Sequence, residues 1–462
     1  MARAQTVTGG RNATAAVIPG KYALSVGLPN LPAPKGWQWT PLSSVARLES
    51  GHTPSRRHPE YWGGDIPWIG IRDATGNHGR VIHDTIEHTN ALGIENSSAR
   101  VLPAKTVCLS RTASVGYVVV TGREMATSQD FVNWICSEDL NPHFLKYVLL
   151  AEREALHVFA VGSVHQTIYF PEAKAFHVCM PIRKVQDAIV DVLGALDDKI
   201  EENRQMSVTL EAAARALYRD WFVEFGPTRA KMEGRAPYLE ESIWSLFPQN
   251  IDADGKPQGW TISAIGDEVD VVGGSTPSTK EAQYWGGNIA WATPKDLSSL
   301  KTPVLLSTER QISDLGLSQI GSGLLPTGTV LLSSRAPIGY LAIAEIPVAV
   351  NQGFIAMICK RRLSNVFIWQ WTQASMDQVH QRANGSTFQE ISKANFRPIA
   401  VTVGTPDVHK AFDALVRPIF ERIASNEREI RSLAATRDFL LPRLMSGEVL
   451  VKDAETRVGE IT

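Results

Sequence analysis

Cysteine is scarce in this chain. The four present, Cys108, Cys136, Cys179 and Cys359, lie far apart with no CxxC spacing, which excludes a disulfide framework, a thiolate metal cluster and a redox motif. They are expected as small core residues of a protein in a reducing, cytoplasmic compartment. Long apolar runs are missing too: residues 1–35, rich in Gly, Pro, Ala and Thr, hold no stretch long enough for a secretory signal or a membrane span, so no membrane partner is expected. Enzyme signatures are also lacking. There is no GxxxxGK[ST] phosphate loop, no HExxH or zinc spacing and no GxSxG, so the expectation is no catalytic residue and no metal site. Asn141-Pro-His-Phe144 resembles the tetrapeptide of adenine methyltransferases but carries His143 at its third position, and no Gly-rich cofactor loop precedes it. Pro171-Glu-Ala-Lys174 and Pro406-Asp-Val-His-Lys410 only echo carboxylate–lysine patterns and read as turns.

What the chain has is a repetition. Offset by 223 residues (259 − 36), Gly36-Trp37 recurs as Gly259-Trp260, Gly51-His-Thr-Pro-Ser55 as Gly274-Ser-Thr-Pro-Ser278, and Tyr61-Trp-Gly-Gly64 as Tyr284-Trp-Gly-Gly287. The same offset carries Ile66-Pro-Trp68 onto Ile289-Ala-Trp291, Asp73 onto Asp296, Gly116-Tyr117 onto Gly339-Tyr340 and Gln129 onto Gln352. Solenoid units run to ~20–50 residues, so each copy must be a whole domain. A pseudo-dimer of this kind suits a partner with two-fold symmetry, and duplex DNA is the commonest one.

Residues 36–184 and 259–406 mix short β-rich runs, such as Thr106–Ser110, Tyr117–Thr121 and Thr329–Ser333, with Gly, Pro and Asn-Gly punctuation. Each is followed by a stretch of opposite character, over 185–222 and 407–446. In the first, Ile189, Leu193, Leu196, Ile200, Asn203, Ser207, Leu210, Ala214, Leu217 and Trp221 alternate spacings of four and three, and the offset maps them onto Phe412, Val416, Ile419, Ile423, Asn426, Ile430, Leu433, Arg437, Leu440 and Leu444. These are heptad seams. The economical arrangement packs the two helices antiparallel, with Asn203 and Asn426 at the midpoints, side by side, fixing register. Pro418 is expected to kink the second helix or mark its effective start. Residues 223–258 read as an irregular linker, 1–35 as an extension with no counterpart in the second copy, and 447–462 as a tail. The fold class is therefore α+β: two homologous mixed domains separated by two long antiparallel coiled-coil helices, with pseudo-two-fold symmetry.

Net charge is −2, from 46 Lys and Arg against 48 Asp and Glu, whereas a nucleic-acid-binding domain commonly has a pI above ~9. Any phosphate-binding surface must be a local patch balanced by acidic residues elsewhere. The repeated polar positions are its candidates. Thr53 and Ser55, like Thr276 and Ser278, place hydroxyls and free N–H groups on a turn, which can hold a phosphate oxygen or simply shape the chain. Beside that turn the first copy has Arg56 and Arg57 where the second has Thr279 and Lys280. Arg72 and Lys295 precede the shared aspartates, Arg111 and Arg335 sit near a strand end before Gly-Tyr, and Gln129 and Gln352 share a Gln-x-Phe context. Arg can grip guanine and Gln adenine at their major-groove edges. The aromatics Tyr61, Trp62, Trp68, Tyr284, Trp285 and Trp291 read as core, because their spacing is duplicated where neighbouring polar residues change.

Two domains with a Gly-x-Thr-Pro-Ser…Tyr-Trp-Gly-Gly-x-Ile-x-Trp…Asp pattern, each followed by a heptad helix, resemble the specificity (S) subunit of type I restriction-modification systems. Arg219-Asp-Trp-Phe-Val-Glu-Phe-Gly226 and Arg437-Asp-Phe-Leu-Leu-Pro-Arg-Leu-Met-Ser-Gly-Glu448 resemble that family's conserved regions. The resemblance implies a non-catalytic subunit whose two target-recognition domains each read half of a split sequence in double-stranded DNA. Two methyltransferase (M) subunits and the restriction/translocase (R) subunits would be its protein partners. S-adenosylmethionine, ATP and Mg would bind those partners, not this chain.

Overall fold

The computed structural model describes residues 17–112, 114–160, 166–385 and 389–459. They form two compact units, one of Met1–Lys199 with Leu433–Thr462, the other of Ile200–Ser432. Both contain the same kinds of sheet. In the first unit a five-stranded sheet runs in the order Ala46–Ser50, Phe131–Cys136, Val107–Ser110, Val118–Thr121, Val81–Ile82; its counterpart in the second runs Asp270–Val272, Phe354–Ile358, Val330–Ser333, Leu341–Ala344, Val304–Leu305. The central strands Val107–Ser110, Val118–Thr121 and Val330–Ser333 are buried at every position, so unbroken apolar, β-branched runs suit them. A helix covers each sheet, Pro142–Ala151 in the first unit and Asn365–Ala374 in the second. Asn141 caps the former: its Oδ1 accepts from the N–H groups of His143 (2.8 Å) and Phe144 (3.4 Å), with proline at the first helical position. The methyltransferase-like tetrapeptide is thus a helix start.

A three-stranded sheet completes each domain: Ala126–Thr127, Trp62–Ile69 and Glu87–Thr89, and in the second Ala349–Val350, Trp285–Ala292 and Arg310–Ile312. Here the duplicated Gly-Gly explains itself. Trp62 and Ile66 both pair with Thr89, and Trp285 and Ile289 both pair with Ile312, so the strand bulges across the glycines. Gly63 and Gly286 have φ of 79° and 75°, a conformation that costs a side chain. At the next residue, a Cβ would come within 2.4 Å of Asn90 Cβ or Ile312 O.

The extension supplies more than a tail. Strands Ile18–Pro19 and Leu24–Val26 add to Phe176–Pro181, which pairs on its other side with Trp37–Pro41; among the described residues the second domain has only Thr261–Ala264 against Ala400–Val403. The fully buried Glu152 carboxylate anchors the added turn by accepting from the N–H groups of Lys21, Tyr22, Ala23 and Leu24 at 2.7, 2.6, 2.6 and 3.2 Å. Its counterpart by the offset is Ser375, which can anchor nothing of the sort.

The long helices run from Arg183 to Tyr218, followed by a π-helical turn Arg219–Val223, and from Pro406 to Met445. Of the two expectations for Pro418, the helix start is overturned: the helix passes through that residue, and Pro406 holds the first position, where a missing N–H is harmless. Residues 171–174 likewise lie in a short helix, Phe170–Lys174, and 406–410 open the long one, so neither is a turn. The stretch expected as an irregular linker contains helices Gly226–Met232 and Glu241–Trp244. Trp221, Phe222 and Phe247 join Trp260, Phe367 and Phe412 in the core of the second unit.

The helices are antiparallel within each unit. In the second, Trp221 packs tilted against Phe412 (ring centroids 5.9 Å) while Ser207 meets Asn426; in the first, Asp197 meets Arg437 at 2.9 Å. The seam residues Ile189, Leu193, Leu196, Ile200, Ala214, Phe412, Val416, Ile423, Leu433, Leu440 and Leu444 are buried.

Candidate nucleic-acid interface

One exposed turn is built the same way in both domains. Gly51 and Gly274 let the chain pass close to a neighbouring strand end: a Cβ would stand 2.0 Å from Ser128 O or 1.7 Å from Val350 O. The turn's carbonyls are then held by two indoles. Trp68 Nε1 donates to His52 O (3.2 Å) and Trp62 Nε1 to Ser55 O (3.4 Å). In the second domain Trp291 Nε1 donates to Ser275 O (3.2 Å) and Trp285 Nε1 to Ser278 O (3.1 Å). The indole pairs stand edge to face, with centroids 5.2 and 5.0 Å apart. Trp68 and Trp291 are core residues as expected, whereas Trp62, Trp285, Tyr61 and Tyr284 are only half-buried. The paired tryptophans are better described as a clamp on the turn.

The clamped turn presents a threonine to a glutamine. Thr53 Oγ1 donates to Gln129 Oε1, and Thr276 Oγ1 to Gln352 Oε1 at 2.6 Å. This engages both carboxamide oxygens and leaves the NH2 groups without a hydrogen bond among the described residues, and both glutamines are exposed. Such a group is suited to acceptors such as adenine N7 or a phosphate oxygen. Ser55, Arg57, Ser278 and Lys280 are exposed on the same turns.

The remaining cations differ between domains. Half-buried Arg111 donates from Nε to Gln129 O (3.1 Å), and burial lowers its pKa against the opposing charge of Asp130. Arg335 is not its equivalent: the backbone bonds Arg111 N to Asp130 O and Ser334 N to Gly353 O correspond, so Ser334 occupies the Arg111 position. Arg335 sits one residue further on and pairs with Glu390 at 3.6 Å. Arg72 is exposed, but Lys295 is engaged by Glu309 at 2.7 Å. The shared aspartates themselves are structural. Asp73 accepts from Gly70 N and Ile86 N, both at 2.9 Å, and Asp296 from Thr293 N (2.8 Å) and Glu309 N (2.7 Å), tying a helix start to the following strand connection.

Arg56 lies over the indole pair of its own domain, 3.7 Å from the Trp62 centroid, and Glu87 holds it by two bonds of 2.6 and 2.7 Å. In the second domain that place is taken by Arg310, 3.5 Å from the Trp285 centroid. Sequence comparison misses Arg310 because the offset sets it against Glu87, a residue of opposite charge.

Away from the turns, Asn203 and Asn426 are both fully buried. Asn426 Nδ2 donates to Ser207 Oγ (3.1 Å) and Asn203 O (3.4 Å), while both polar atoms of the Asn203 side chain have no partner among the described residues. Among the described residues there is no cluster of metal-ligating side chains, and no helix is long and apolar enough to cross a membrane.

The chain is similar along most of its length to the type I restriction enzyme MjaIX specificity subunit of Methanocaldococcus jannaschii, 25% identical over 91% of this chain and 95% of the relative. It is 24% identical to the HindI specificity subunit of Haemophilus influenzae over 81% and 93% of the two chains. The solved type I restriction-modification S subunit from M. genitalium shares the fold, with a TM-score of 0.55 and 15% identity over 88% of this chain and 96% of that one. The family described as type I restriction modification DNA specificity domain matches residues 34–212 and 257–406, one match for each copy of the repeat, and the chain belongs to that family.

Proposed function

We propose that this chain is the non-catalytic DNA-specificity subunit of a type I restriction-modification complex, each domain reading one part of a bipartite duplex target. The observation that carries this reading is the double family match, one for each copy of the repeat. The repeated turn supports it: an indole clamp positions Thr53 and Gln129, or Thr276 and Gln352, identically, while the surrounding cations differ. A common scaffold with unlike side chains is what two readers of different sequences require. Adenine methylation and restriction belong to M and R partner subunits, two M subunits per chain, which bind S-adenosylmethionine, ATP and Mg.

The test is domain exchange. The complex is assembled in cells with residues 36–184 replaced by the corresponding domain of a relative, and methylated adenines are mapped by sequencing. One half of the methylated sequence should change and the other persist. Loss or change of both halves would refute separate reading, and an unaltered target would refute recognition by these domains.

A further inference from the structure

The two domains bring a guanidinium to the same indole pair from different places in the chain. In the first, Arg56 comes from the turn and stands 3.7 and 5.1 Å from the Trp62 and Trp68 centroids. In the second, Arg310 comes from the strand beside the indoles, directly across from Trp291, and stands 3.5 and 5.3 Å from Trp285 and Trp291. By the offset, Arg56 corresponds to Thr279 and Arg310 to Glu87, which is directly across from Trp68. The exchange is compensated: the arginine lost at one position is regained at the other, and the cation–π geometry is preserved.

The charge is not preserved. Arg56 is gripped bidentately by Glu87, whose carboxylate spends both oxygens on it and neutralises it. The bond raises the Arg56 pKa, and the guanidinium in turn holds the Glu87 carboxyl below its ordinary range. Arg310 is exposed, and its guanidinium has neither an ion-pair nor a hydrogen-bond partner among the described residues. One face lies on an indole. That contact covers one side of the guanidinium and leaves its N–H groups without a protein partner among the described residues, beside a turn whose carbonyls the same two indoles hold. A planar donor fork next to exposed hydroxyls at Thr276 and Ser278 matches a phosphate oxygen pair.

We propose that Arg310 is a phosphate-contacting residue of the second domain, and that Arg56, its geometric equivalent, is a neutralised strut with no direct part in binding. This rests on the DNA-binding reading above and gives it an asymmetry: the second domain holds the backbone with one more free guanidinium. Replacing Glu87 by Gln releases Arg56 and creates in the first domain the arrangement that the second already has.

The test uses the full-length chain and a mixed-sequence duplex, titrated at several salt concentrations. Each phosphate contact contributes about 0.9 to the slope of log K against log salt. Arg310→Gln should lower the slope by about that amount and weaken binding evenly across sequences. Arg56→Gln should leave the slope unchanged while lowering thermal stability. Glu87→Gln should steepen the slope by about 0.9, a gain that misfolding does not produce. An unchanged slope in Arg310→Gln, or a loss confined to particular sequences, overturns the proposal while the DNA-binding reading stands. Wild-type protein that shows no salt-dependent binding overturns both.

Discussion

A single substitution at Asp197 in the first unit should be costly. Its carboxylate accepts from Lys146 Nζ (3.2 Å), Tyr147 Oη (2.7 Å) and Arg437 Nη1 (2.9 Å). Lys146 is 5% exposed and Tyr147 1%. Burial pushes the Asp197 carboxyl up, but the two cations and the tyrosine hydroxyl outweigh it and hold the carboxyl below its ordinary range. For Lys146 the balance goes the other way: burial lowers its pKa and outweighs the attraction of Asp197. At an effective dielectric of about 20, each contact near 3 Å represents roughly 5 kcal/mol of gross attraction, most of it consumed by desolvation. Removing the anion leaves that desolvation unopposed on Lys146, while Arg437 keeps Asp438 at 2.8 Å. Asp197→Leu should therefore destabilise the chain by about 3–5 kcal/mol, nearer 3 because the Arg437 side chain keeps 29% of its exposure.

The second unit shows how the same space is filled without charge. By the offset Lys146, Asp197 and Arg437 become Trp369, Phe420 and Ala214, and Trp369 and Phe420 pack at 70° with centroids 5.4 Å apart. Transplanting that solution, as Lys146→Trp, Asp197→Phe and Arg437→Ala with Tyr147→Phe to remove the orphaned hydroxyl, should cost less than about 2 kcal/mol or stabilise, since buried ion networks are often no better than well-packed apolar groups. Urea unfolding of the full-length variants gives the comparison. A cost below about 1 kcal/mol for Asp197→Leu, or a combined variant less stable than Asp197→Leu, would refute this account of the network.

Two further outcomes are expected. Burial, reinforced by nearby arginines, lowers the pKa of His78 and of His409 to about 4, against ~6.5 in the unfolded chain; stability is complete above that value and falls as pH drops from 6.5 toward 4, by roughly 2.5 kcal/mol at pH 4.5 for the buried His409 and by less for the half-buried His78, which solvent screens. His409→Gln, measured by urea unfolding at pH 7 and 4.5, should lose its share of that difference, and a wild-type-sized acid loss would show that this ring does not titrate as described. Asn203→Leu removes a buried amide without partners and should stabilise the chain by about 1–3 kcal/mol; a loss of stability would mean that the amide is satisfied in solution.

Elements carried by period and punctuation were legible in the sequence: the repeated domains, the paired helices, and the strands around Val107, Val118 and Val330. Pro418 does not set the helix start because a proline penalty of ~3 kcal/mol decides the fate of an isolated helix, whereas this helix buries Phe412, Val416, Phe420 and Ile423 around it. The extension was silent because its anchor, Glu152, is distant in sequence and reads as one more surface acid. At the interface, a fixed offset finds what both copies keep at one position, so the Thr–Gln pairs and the indoles were visible. It cannot find a group kept in space but moved along the chain. Arg56 and Arg310 are such a group, and their non-equivalence in sequence is also why only one of them is left with a free charge. Both domains place a guanidinium over two indoles, and the residue that supplies it decides whether the domain has a cation to spare.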